Sequence, residues 1–153
     1  MSRLSKIKPV HAKDTGVFAD IFNNALNAKE KAIYCFLVPG ITIDDEALNK
    51  IELIFNDHPE VMCVYTDHIT NHSTVYYPSY TYTVCDKANV NTPLCCRSEV
   101  LTRFNPNARH LCYWKFLKDL AVQYIAWHVP EPLFTIEGQG TAEEIYSELQ
   151  RLK

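Results

Sequence analysis

The sequence predicts an α/β protein, a mixed sheet with helices on its faces, and three features carry that expectation. Two near-continuous apolar runs, Ala32 to Val38 and Val61 to Thr66, read as strands covered on both sides. The segment between them repeats its apolar residues at three-to-four spacing, as a helix packed along one face does. Strand, helix and strand in this order predict a right-handed βαβ crossover. A chain of 153 residues with 47% hydrophobic and 22% charged residues has the make-up of one globular domain with a substantial core.

Taken in order, residues 1–14 read as a polar, basic arm or loose edge, and residues 15–153 as a single domain. Val17, Phe18, Ile21, Phe22 and Leu26 predict a helix from about Thr15 to Asn27. The first apolar strand ends at Pro39-Gly40, a turn. Thr42 is placed to cap the next helix, with Asp44, Asp45 and Glu46 in its first turn and Ala47, Leu48, Ile51, Ile54 and Phe55 inward. His58-Pro59 stops it.

Beyond the second strand, Asp67 to Ser73 reads as a polar loop and Thr74 to Val84, rich in tyrosine and threonine, as an exposed strand or hairpin. Residues 86–93 form another loop. Leu94 to Cys96 predicts a short strand, Ser98 to Arg103 a short helix and Phe104 to Asn107 a turn. A helix follows from His110 to Tyr124, with Trp114, Leu117, Leu120 and Ala121 inward. Ile125 to Val129 is a strand closed by Pro130 and Pro132. After the flexible join Gly138-Gln139-Gly140, Thr141 and Glu144 make a capping box for a last helix with Ile145, Leu149 and Leu152 inward.

The formal charge of −3 leaves no basic surplus to neutralise phosphates, which argues against a nucleic-acid binder. No apolar run reaches the roughly 18–20 residues of a membrane helix, and no apolar stretch follows the basic N-terminus as in a secretory signal. Of six cysteines, Cys35, Cys63 and Cys112 lie in apolar segments where a reduced thiol packs as a small hydrophobe. Cys95 and Cys96 are adjacent and do not pair with each other. These features predict an intracellular, cytoplasmic chain with free thiols.

Three segments, in the right order, resemble the family 2 glycosyltransferases, nucleotide-diphospho-sugar transferases of the GT-A fold. They are Phe22-Asn23-Asn24-Ala25-Leu26 through Leu37; His58-Pro59-Glu60-Val61-Met62-Cys63-Val64-Tyr65-Thr66-Asp67; and Pro93-Leu94-Cys95-Cys96-Arg97-Ser98-Glu99-Val100-Leu101 through Val129-Pro130-Glu131-Pro132-Leu133-Phe134. The resemblance implies a truncated GT-A-like mixed sheet that lacks the opening nucleotide-binding βαβ half. In that family the first of these strands ends in an acidic cluster that holds a divalent cation on the donor diphosphate. Here Val38, Gly40 and Ile41 stand at the matching positions, and no metal ligand or cofactor is expected. Manganese enters only if transferase activity survives.

The family also places an acidic pair, with its candidate base, at the start of the late helix, where this chain has His110, Leu111 and Cys112. The catalytic candidates are therefore Asp67, at the family's Tyr-x-Asp position near the acceptor cleft, and His110, whose imidazole titrates near neutrality. Tyr76, Tyr80 and Trp114, with Tyr77, Tyr82 and Trp127, supply aromatic faces for stacking a sugar, and Arg97 belongs to the acceptor-side segment. Each has a plainer reading: Asp44 and Asp45 as helix-start charge, Asp67, His68 and His72 as a solvated loop, Cys112 and the aromatics as packing.

Two function classes remain open. One is a degenerate, non-catalytic relative that binds a glycan or a protein. The other is an active transferase that works with a partner-supplied nucleotide half, or through an altered site without a metal. A missing opening unit would leave a sheet edge or face uncovered, which predicts a homo-oligomer or a docked protein partner.

Overall fold

The computed structural model describes residues 6–13, 16–70, 73–77, 91–137 and 142–152. Among them are strands β1 (Lys8–His11), β2 (Ile33–Leu37), β3 (Ile41–Thr42), β4 (Val61–Thr70), β5 (Ser73–Val75), β6 (Leu94–Arg97) and β7 (Ile125–Ile136). The helices are α1 (Phe18–Asn27), α2 (Asp45–Asp57), α3 (Cys112–Leu120) and α4 (Ala142–Leu152). The fold is mixed α/β, as the apolar patterning predicts.

The strands form one mixed sheet in the order β1-β2-β6-β4-β7-β3, with β5 added to β4. β1 runs parallel to β2 and β7 parallel to β4, whereas β6 is antiparallel to both its neighbours, β2 and β4. The strand–helix–strand unit is thus a parallel crossover from β2 through α2 to β4, with β6 inserted between the two strands. Consecutive residues Tyr34 to Leu37, Cys63 to His68 and Leu94 to Cys96 are all buried. Because successive side chains point to opposite faces, both faces of the sheet centre are covered.

The sheet curls, and the chain's connections require it. β2 and β3 are four strand spacings apart in the sheet order, about 19 Å if flat. The link Val38-Pro39-Gly40 spans at most about 14 Å from Leu37 to Ile41. The curl is taken up where β7 carries extra residues: Thr66 faces Val129, Asp67 faces Pro132 and His68 faces Phe134. Pro130 and Pro132 therefore do not close the strand at Val129, as the sequence suggests. Pro130 is among the residues skipped between Val129 and Pro132, Pro132 is the partner of Asp67 between two register shifts, and β7 continues to Ile136.

Other boundaries also move. Thr42 lies in β3, and Asp44 caps α2 by accepting the Ala47 N–H at 2.7 Å. β4 runs on through Asp67 to Thr70 in place of the predicted loop, because β5 and β7 pair with both its edges there. Ser98 to Arg103 is not helical: Ser98 exchanges two hydrogen bonds with Ala32, and Arg103 donates to the carbonyls of Val100 and Thr102. The next residue, Phe104, exchanges two with Asn23 of α1. α3 ends at Leu120, short of Tyr124. The predicted join 138–140, the Thr141 cap, most of the tyrosine-rich strand and the loop up to residue 90 lie outside the described residues.

Phe22, Phe36, Phe104 and Phe116 are fully buried, their rings 4.0 to 6.3 Å apart where they touch, and they join α1, β2, the 98–104 segment and α3 into one core. Among the described residues no helix is long and apolar enough to cross a membrane.

Candidate functional site

The turn after β2 is where the resemblance places donor chemistry, and the protein itself engages the Val38 N–H and the Gly40 carbonyl there. Tyr113 of α3 accepts the Val38 N–H at 2.9 Å and donates its hydroxyl to the Phe36 carbonyl at 2.8 Å. Burial pushes its phenol well up, so the proton needed for that donation stays on. Gly40 has φ +89°, and its carbonyl accepts the Glu137 N–H at 2.8 Å. A Cβ at position 40 would stand 2.1 Å from the Glu137 carbonyl oxygen. The end of β7 thus fills the space that a side chain at this position needs. Ile41 is buried, and Asp44 uses a carboxylate oxygen on its own helix.

Asp67 lies in β4 at 1% exposure, with His128 of β7 across the bulge. One carboxylate oxygen, Oδ1, is 2.8 Å from His128 Nε2 and accepts the Tyr77 N–H at 2.8 Å. Tyr65 stacks on the His128 ring at 4.9 Å. His68, also buried, turns its ring toward Tyr77 at 5.5 Å, and its Nδ1 has no hydrogen-bond partner among the described residues. Burial pushes the His68 imidazole down, with the Asp67 charge opposing, and burial likewise pushes the Tyr77 phenol up. The reading of Asp67 and His68 as a solvated loop is therefore corrected. A carboxylate so enclosed anchors the Tyr77 segment and β7 to β4, and offers no open oxygen to an acceptor hydroxyl.

His110 sits elsewhere, ahead of α3. Its Nε2 is 3.2 Å from Glu144 of α4, and its N–H and that of Leu111 each donate to the buried Glu148 carboxylate at 2.9 Å. A cleft of about 380 Å³ is lined here by Arg109, His110, Glu143, Glu144, Glu148 and Arg151. Arg109 itself reaches α1, donating to the Gly16 carbonyl and lying 4.1 Å over the Phe18 ring. The neighbouring Cys112 is buried, which pushes its thiol up and away from nucleophilic character.

The substrate-binding candidates are not brought together. Arg97 donates to the carbonyls of Phe55, His58 and Val61 and stacks over Phe55, closing the end of α2. It also borders a cavity of about 320 Å³ shared with Lys6, Lys31, Glu52 and Asn56. Trp114, at 2% exposure, presents no face to solvent and packs under Lys118. Tyr76 is 73% exposed, and Tyr80 lies outside the described residues. Trp127, half-exposed and stacked on His58 at 4.4 Å, is a second open aromatic.

Sequence reasoning missed His128 and Glu148. His128 had a signal: a histidine inside an apolar strand needs a buried partner, and Asp67 ends the other apolar run. Among the described residues no three His, Cys, Asp or Glu side chains are placed to hold a metal ion.

Fold and site define a class: a mixed α/β domain with a curled sheet and an enclosed Asp–His pair. No protein-family model matches the chain, and no curated protein matches it.

Proposed function

We propose that this chain is a glycosyltransferase-like domain without transferase chemistry, which binds a glycan or a protein partner. The observation that carries the reading is at Gly40. On the resemblance to the GT-A fold, this position belongs to the turn that cradles the donor's cation. Here it has neither a side chain nor room for one, because a Cβ would collide with the Glu137 carbonyl oxygen. A metal-assisted transfer depends on that cation to neutralise the leaving diphosphate. The enclosure of Asp67 supports the same reading, since a general base must reach the acceptor proton. The open aromatics Tyr76 and Trp127 suit a glycan or protein contact.

Thermal unfolding with UDP- and GDP-sugars, with and without manganese, tests the proposal by mass action on the folded state. The expected result is an unchanged Tm across the donor panel and a rise with a free oligosaccharide or a protein partner. A Tm that rises with a sugar nucleotide and manganese together would overturn the reading.

A further inference from the structure

The centre of the sheet holds four cysteines that the proposed function does not use. Cys35 of β2 faces Cys95 of β6, and Cys63 of β4 faces Cys96 of β6, each directly across an antiparallel ladder. All four side chains are buried at 0% exposure. Directly opposed residues in such a ladder have Cα atoms about 4.5–5.5 Å apart, inside the roughly 4.4–6.8 Å window of a disulfide. Because Cys95 and Cys96 are consecutive, their side chains point to opposite faces. The four thiols are therefore two separate pairs, one on each side of β6, and do not gather into a tetrahedral metal site.

We propose that Cys35–Cys95 and Cys63–Cys96 are two disulfide-forming sites, closed while β6 is laid between β2 and β4 and inaccessible afterwards. The oxidant is a small disulfide of the glutathione class. One cysteine thiolate attacks its S–S bond and expels a first thiolate. The opposing cysteine thiolate then attacks the mixed disulfide and expels the second. Two cysteine thiols are oxidised, the oxidant is reduced to two thiols, and the cysteine protons end on those leaving groups. In the folded chain all four thiols are fully buried, so the oxidant has no approach path to either pair, and burial pushes the Cys63 and Cys95 thiols up besides.

The inference does not depend on the proposed function, and a redox refolding experiment tests it. The unfolded chain is refolded in a buffer of oxidised and reduced glutathione, and in parallel the reduced, folded chain is placed in the same buffer. Both are then denatured in acid, and free thiols are counted and the bridges mapped by peptide analysis. The refolded sample should keep two of its six thiols, Cys85 and Cys112, with bridges 35–95 and 63–96. The folded sample should keep all six. Refolded Cys63→Ser should form only 35–95, and refolded Cys35→Ser only 63–96. Six free thiols after refolding, bridges that join other cysteines, or equally fast oxidation of the folded chain would each overturn the proposal. If a serine variant fails to fold, the bridge map of the unaltered chain decides.

Discussion

Asp67 gathers the Tyr77 N–H and His128 Nε2 onto one buried oxygen. Asp67→Ala removes that shared acceptor from a buried site. The expected loss is about 2–5 kcal/mol of unfolding free energy, read from urea titration. In a double-mutant cycle with His128→Ala the two losses should be strongly non-additive. Position 40 makes the opposite test, by adding a carboxylate where the resemblance expects one. Gly40→Asp should create no manganese site. It should destabilise the fold by at least about 2 kcal/mol, from the left-handed backbone and the contact with Glu137 together. Calorimetric binding of manganese to a folded Gly40→Asp chain would contradict that.

At the scale of elements, side chains from distant segments finish helices whose own sequences do not. α2 ends without a basic residue in its last turn, and Arg97 of β6 reaches its carbonyls instead. Arg97→Ala should therefore cost about 3 kcal/mol. Arg97→Lys should recover less than half, because an ammonium cannot place three donors in a planar fork. Equilibrium unfolding of the three proteins checks both statements. α3 likewise opens on no capping side chain of its own. Glu148, at 1% exposure, supplies the carboxylate from α4 and so ties the two helices together. Glu148→Ala should cost about 2 kcal/mol and raise amide exchange selectively in α4, where Glu148→Gln keeps an acceptor and loses less.

For the whole molecule, the enclosure of His68 predicts how stability follows pH. Its folded-state pKa lies below the ordinary 6.5, so between the two values the unfolded chain binds more protons. Stability is then highest above pH 6.5, falls as the pH drops through that value and levels off below the folded-state pKa. His68→Gln should flatten this part of a Tm-against-pH curve and leave the carboxylate-driven loss at lower pH in place. A wild-type curve that rises on acidification through 6.5 would contradict the assignment.

Much of the architecture was legible in local pattern. The runs at 33–37 and 61–66 and the inward faces of α1 and α2 follow from periodicity, because side-chain direction repeats every two or 3.6 residues whatever the partner. The misread stretches have ends or states set from outside. β4 outlasts its apolar run because β5 and β7 supply hydrogen bonds to Asp67–Thr70, and β7 continues past two prolines through the register shifts opposite Thr66–His68. The 98–103 stretch, helical in composition, is instead tied down at both ends, Ser98 by the backbone of Ala32 and Arg103 by Asn27 of α1.

The candidate site divides the same way. Composition and order alone determined an α/β chain with no acid at Val38, Gly40 or Ile41. Only the folded arrangement decided that the end of β7 fills the space at Gly40, that Asp67 meets a histidine 61 residues away, and that four cysteines stand in two facing pairs. The reason is that a residue's type and neighbours travel with the chain, whereas closure, burial and partnership are properties of strands placed side by side.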